Sequence, residues 1–85
     1  MKLHLRYFAS LREALGPGET MEWSPADAAT AGALRQWLRA RSDAHAQALA
    51  PGRAVRVAID QTMAADATPL HDGAEVAFFP PVTGG

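Results

Sequence analysis

At 85 residues the chain is long enough for one hydrophobic core and too short for two independently folded domains. With 48% hydrophobic and 20% charged residues it has the composition of an ordinary soluble globular protein, and a net charge of -1 offers no broad field to nucleic acid or anionic membrane. It has no cysteine, which excludes disulfide staples, a thiol nucleophile and thiolate metal ligands. The alanine-rich run from Ala28 to Leu34 is too short and too weakly apolar for a membrane span, and Lys2, His4 and Arg6 interrupt what would be a signal peptide. The expected location is therefore the cytoplasm.

In chain order, Leu3, Leu5 and Tyr7 alternate with Lys2, His4 and Arg6, the period of a half-buried strand. Phe8 breaks the alternation by falling on the polar face. Ser10 reads as the cap of a short helix through Leu15, closed by Gly16 and Pro17, and Glu19 to Trp23 reads as a second strand. From Thr30, a candidate N-cap, Leu34, Trp37, Leu38 and Arg41 recur at helical spacing with Arg35, Gln36 and Arg39 opposite, which predicts the principal amphipathic helix. Asp43 to Ala50 can continue as helix before Pro51 and Gly52 stop it. Val55, Val57 and Ile59 alternate with Ala54, Arg56 and Ala58 as a further strand, and Glu75 to Phe79 forms the last, entered through His71-Asp72-Gly73. Four to five strands with one main helix on one face predict an α+β domain over residues 1–79.

Little in the chain resembles a catalytic constellation. His4, His45 and His71 are scattered, at no metal-ligand spacing, and fit surface or capping roles. Ser10, Ser24 and Ser42 lack a nucleophile-elbow context, and there is no phosphate-binding glycine loop. Phe8 and Phe79 each lie on the side of their strand away from the apparent core. If the first and last strands are neighbours, the two form an apolar patch for a partner; otherwise a loop covers them. Met63 fits either that patch or the core.

The chain end is the most informative stretch. Pro80 and Pro81 cannot donate ladder hydrogen bonds, so the strand stops and residues 80–85 are expected as an extended, flexible tail with a reach of about 20 Å. Gly84 and Gly85 lack a Cβ and make the narrowest backbone available, able to thread where side chains clash. Terminal glycines alone fit a frayed end equally well. After a stiff diproline and an apolar strand in so small a chain, they point to a terminus that is delivered somewhere.

The run Glu75-Val76-Ala77-Phe78-Phe79-Pro80-Pro81-Val82-Thr83-Gly84-Gly85 closely resembles the end of the molybdopterin synthase small-subunit family, ubiquitin-like sulfur carriers. The resemblance extends to Tyr7-Phe8-Ala9, Arg12-Glu13, Ala33-Leu34-Arg35-Gln36, Asp60-Gln61-Thr62 and Asp72-Gly73, and so covers essentially the whole chain. It implies a β-grasp fold and chemistry at the Gly85 carboxylate. An adenylyltransferase related to ubiquitin-activating enzymes would use ATP and magnesium to form an acyl adenylate, and a sulfur donor protein would displace AMP to leave a thiocarboxylate. The tail, with Gly84 as its slim penultimate residue and Pro80, Pro81, Val82 and Thr83 leading to it, would enter the large subunit of molybdopterin synthase. There the sulfur would pass to cyclic pyranopterin monophosphate.

By the same resemblance, Phe8, Met63 and Phe79 match hydrophobic positions that meet partner enzymes; Met63 stands where leucine is expected. No cofactor or metal would be held by this chain. Catalytic acids, bases and anion-binding groups would come from the large subunit, in an assembly of two small and two large chains. The competing readings are a sulfur carrier for thiazole synthesis, whose chains are usually shorter and lack the diproline-valine-threonine lead, and a ubiquitin-like protein modifier or interaction module.

Overall fold

The computed structural model describes residues 1–81. Among them the elements run β1 (Lys2–Tyr7), α1 (Ala9–Leu15), β2 (Gly18–Glu22), α2 (Ala31–Arg39), α3 (Asp43–Ala48), β3 (Arg56–Ile59), β4 (Thr62–Ala64) and β5 (Ala74–Phe79). The strands form one mixed sheet in the order β2-β1-β5-β3-β4. β1 and β5 pair in parallel at its centre, and the other neighbours are antiparallel. This is the α+β, ubiquitin-like β-grasp architecture expected from the sequence.

The period-two pattern decides which side chains the sheet buries. Leu3, Leu5 and Tyr7 of β1 lie opposite Ala74, Val76 and Phe78 of β5, and Phe78 and Val76 in turn lie opposite Val57 and Ile59 of β3. All are buried, and they meet Leu11 of α1, Leu34 and Leu38 of α2, and Ala48 and Leu49 at the end of α3. Removing these apolar surfaces from water is the dominant stabilising term. The helices thus cover one face of the sheet and leave the other open.

Local signals set the helix ends. The Thr30 hydroxyl accepts the Ala33 N–H and starts α2, and the Ser42 hydroxyl accepts the His45 N–H and starts α3. The α3 end is held from α2: the Arg35 guanidinium donates to the carbonyls of Leu49 (2.9 Å), Ala50 (2.6 Å) and Arg53 (3.2 Å). These bonds tie the Leu49 to Arg53 segment that follows α3 to α2.

Three expectations need correction. Ser10 does not cap α1; Phe8 occupies the cap position without a side-chain bond, and Ser10 lies inside the helix. Trp37 does not face the core with Leu34 and Leu38 but is 43% exposed, leaning on Trp23 with ring centroids 6.4 Å apart, while the Arg41 guanidinium lies 5.8 Å over its ring. Trp37 lies one residue before Leu38, at the margin of the buried stripe of α2 and not at its centre, and from there it covers the buried Trp23. Arg41 lies past the end of α2 and ion-pairs with Glu19 of β2. Beyond these, β4 follows β3 directly, entered through Asp60 and Gln61, both at positive φ (50° and 67°) in a tight two-residue turn.

Two points of the frame are directly testable. Gly18 has φ +137°, and a Cβ there would sit 2.0 Å from the Leu5 carbonyl oxygen. Gly18→Ala is expected to destabilise the protein by about 3 kcal/mol, because backbone and not a movable side chain blocks the space. Denaturant unfolding measures this, and wild-type stability in the variant would refute the packing described.

At the sheet end remote from the tail, His71 Nε2 lies 2.5 Å from Asp60 Oδ2, and Asp60 Oδ1 accepts the Glu75 N–H at 3.0 Å. The Asp60 carboxylate, followed by the Asp72 carbonyl, raises His71 above its ordinary 6.5. The Glu75 N–H, followed by His71, lowers Asp60 below its ordinary 3.8. A raised histidine stabilises fully below its unfolded pKa and loses that contribution as pH rises through the folded one; a lowered carboxylate does so fully above its own and loses it as pH falls. The pair therefore contributes most completely between pH 3.8 and 6.5. In an NMR titration Asp60→Asn should bring the His71 midpoint back down toward 6.5, and an unchanged midpoint would contradict the pairing.

Candidate functional site

The parallel pairing of β1 and β5 answers the question left open by the two phenylalanines. Tyr7 lies opposite Phe78, and the ladder continues one residue further through the Phe8 N–H donating to the Phe78 carbonyl at 3.2 Å. Phe8 is extended there (φ -128°, ψ 157°), so its ring takes the face opposite Tyr7. Phe79, following the buried Phe78, takes the same open face and is half-buried. The two aromatic side chains therefore sit side by side on neighbouring strands, and among the described residues no loop covers them: Phe8 remains 41% exposed.

Met63 joins them by register. It lies opposite Ala58, which lies opposite Ala77, and all three point to the open face; Met63 is 56% exposed. The patch reading of Met63 holds and the core reading does not. Ala58 and Ala77 form a low floor between the larger side chains, so the surface is a shallow apolar saddle bounded by Phe8, Phe79 and Met63. Contiguous apolar surface rimmed by polar groups makes this face the candidate interaction site.

Pro80 and Pro81 leave the sheet beside this saddle, both half-buried. Pro81 lines a cavity of about 190 Å³ with Val55, Arg56, Val57, Met63 and Asp66, so the start of the tail lies against the β3–β4 side of the patch. The expected tail residues Val82, Thr83, Gly84 and Gly85 lie outside the described residues.

Beneath the patch, on the core side, Tyr7 stacks on Phe78 with centroids 6.1 Å apart and planes at 22°. Burial, reinforced by the Glu19 charge, pushes the Tyr7 hydroxyl up to about 12. It stays neutral and serves as packing, not as an acid or base. The three histidines each have a local partner: His4 the Thr20 hydroxyl, His45 the Ser42 hydroxyl and His71 the Asp60 carboxylate. Burial, then the Arg41 charge, holds His45 below its ordinary pKa. Among the described residues, no three histidine or acidic side chains converge as metal ligands, and no helix is long and apolar enough to cross a membrane.

Sequence reasoning missed two residues of this face. Arg6 and Arg56 are both exposed on it, Arg6 with its guanidinium 5.8 Å over the Phe8 ring and Arg56 directly opposite Phe79 in the ladder. Their outward positions were legible in the alternation of their strands. Their common relation to the phenylalanines was not, because it depends on the β1-β5-β3 order.

Comparison with known proteins agrees with this geometry. The model of the ThiS family matches residues 5–85. The molybdopterin synthase sulfur carrier subunit of Escherichia coli is 48% identical, over 93% of this chain and 94% of its own. Small archaeal modifier protein 3 of Haloferax volcanii is 37% identical, with both chains fully covered. Among solved structures, a complex of subunits 1 and 2 of the molybdopterin-converting factor from Helicobacter pylori contains a chain of the same fold, with a TM-score of 0.68 at 23% identity and both chains fully covered. The resemblance drawn from the terminal motif is thereby borne out, and the chain belongs to the ThiS family.

Proposed function

We propose that this chain is the sulfur-carrying subunit of a molybdopterin synthase and that its reactive group is the Gly85 carboxylate. The observation that carries the reading is the saddle of exposed Phe8 and Met63 with half-buried Phe79, with a diproline exit beside it that leads into Val82-Thr83-Gly84-Gly85. The 48% identity to a molybdopterin synthase sulfur carrier subunit supports it independently.

A carboxylate resists attack because it has no leaving group. Its oxygen attacks the α-phosphate of ATP on an activating enzyme, with magnesium, and pyrophosphate leaves. A donor sulfur then attacks the acyl carbon and the C–S bond forms as the bond to AMP breaks; sulfide leaves a thiocarboxylate directly, whereas a donor persulfide leaves an acyl disulfide whose S–S bond a second thiol cleaves, releasing the thiocarboxylate and a disulfide. The domain docks on a large subunit through Phe8, Met63 and Phe79, while Pro80, Pro81, Val82 and Thr83 lead Gly84 and Gly85 inward. Sulfur passes there to cyclic pyranopterin monophosphate, and two deliveries complete the dithiolene. The large subunit supplies the acids, bases and anion-binding groups, in an assembly of two small and two large chains in the cytoplasm.

The likeness to a small archaeal modifier protein favours one second reading, a modifier joined to lysines. Both begin with adenylation and part at the acceptor.

Deleting Gly85, or extending the chain beyond it, should leave thermal stability unchanged and abolish molybdopterin formation in an assay reconstituted with the activating enzyme, a sulfur donor and the large subunit. Full activity of an extended chain that mass spectrometry shows to be untrimmed would refute the reading.

A further inference from the structure

The open face of the sheet is divided. Its lower half carries both signs: Lys2, His4, Glu22 and Glu75, with Glu22 3.8 Å from the N-terminal amine. On the strands around the saddle its upper half carries Arg6 and Arg56, with Asp66 the acidic side chain in the cavity beside Arg56. In the ladder Arg6 lies opposite Ala77, and Ala77 opposite Ala58; Arg56 is two residues along β3 from Ala58. Two interstrand spacings and one two-residue step put the Arg6 and Arg56 Cα atoms about 12 Å apart, one on each side of Phe79. Among the described residues neither arginine is ion-paired: Glu19 is taken by Arg41 and Asp60 by His71, while Glu75, which shares a groove with Arg6, and Asp66, which shares a cavity with Arg56, do not reach them.

Docking through Phe8, Phe79 and Met63 would press both guanidinium groups against the partner and strip their water. Desolvating a cation is costly unless the partner supplies acceptors, and a guanidinium fork is best matched by a carboxylate. An apolar saddle alone would take any apolar surface. Two unneutralised cations at its flanks reject every partner that lacks acids at those points.

We propose that Arg6 and Arg56 are the specificity-determining pair of this face, selecting a tail-accepting large subunit that carries carboxylates on both sides of the pocket receiving Phe79. The inference rests on the docking reading above and adds to it the charge of the partner. The arginines act on encounter and orientation; they do not touch the reacting carboxylate.

The test is stopped-flow association of the full-length chain with the large subunit of the same pathway, from low to high ionic strength. The double variant Arg6→Gln/Arg56→Gln should melt like wild type, associate about tenfold more slowly at low salt and show a flattened salt dependence, because the attraction between opposite charges that steers the encounter has been removed. Arg6→Lys/Arg56→Lys should keep the salt dependence and dissociate faster, since charge remains and the fork is lost. Phe79→Ala should raise the dissociation rate and leave the salt slope unchanged. The proposal is overturned if the double glutamine variant associates at the wild-type rate with the wild-type salt dependence, or if the salt-dependent loss appears only with the activating enzyme. Failure of the wild-type chain to bind the large subunit at all would instead overturn the docking reading, and this proposal with it.

Discussion

The parallel hydrogen-bonded pairing of β1 with β5 is the interaction on which the rest of the molecule depends. It joins the two ends of the chain at the centre of the sheet, so Tyr7 and Phe78 become neighbours within the core and Phe8 and Phe79 become neighbours on the open face. A parallel pair cannot be closed by a hairpin, and here nearly the whole chain, with its helices, forms the crossover. That connection places all three helices on one side. The other side is left free, and the end of β5 is delivered at its edge.

The arrangement separates recognition from chemistry. The saddle and its flanking arginines are built on strands, where rotamers and register are fixed by the core beneath, with Leu3, Val76 and Phe78 almost wholly enclosed. In the proposed function the reacting group is carried on the sequence beyond Pro81, which ends in two glycines. A catalytic residue on this chain would have to reach wherever the tail goes, and the domain's only strongly perturbed phenol, Tyr7, is locked neutral under the sheet. The chain behaves as a positioned reagent, and its folded part fixes where that reagent can be spent.

Much of this was legible in the residues. The alternation of β1 and β5 identified the core face, Thr30 marked the start of α2, and the misplaced Phe8 and Phe79 already signalled a second, non-core surface. The parts that were not legible are those set by long-range geometry. Trp37 shares helical spacing with Leu34 and Leu38, yet how the helix is rolled against the sheet decides which of the three stays outside. β4 has three residues and too little pattern to announce itself, and only its register against β3 assigns Met63 to the open face. Arg6 and Arg56 are fifty residues apart in sequence and become a pair only through the strand order.

The central claim is that the Gly85 carboxylate carries sulfur, and intact-mass spectrometry of the chain after incubation with ATP, magnesium, a sulfur donor and the matching activating enzyme tests it most directly. The account predicts a gain equal to the replacement of one oxygen by sulfur, confined to the C-terminal peptide and lost on transfer to the pterin precursor. An unchanged mass, or lysine-linked adducts in its place, would contradict it.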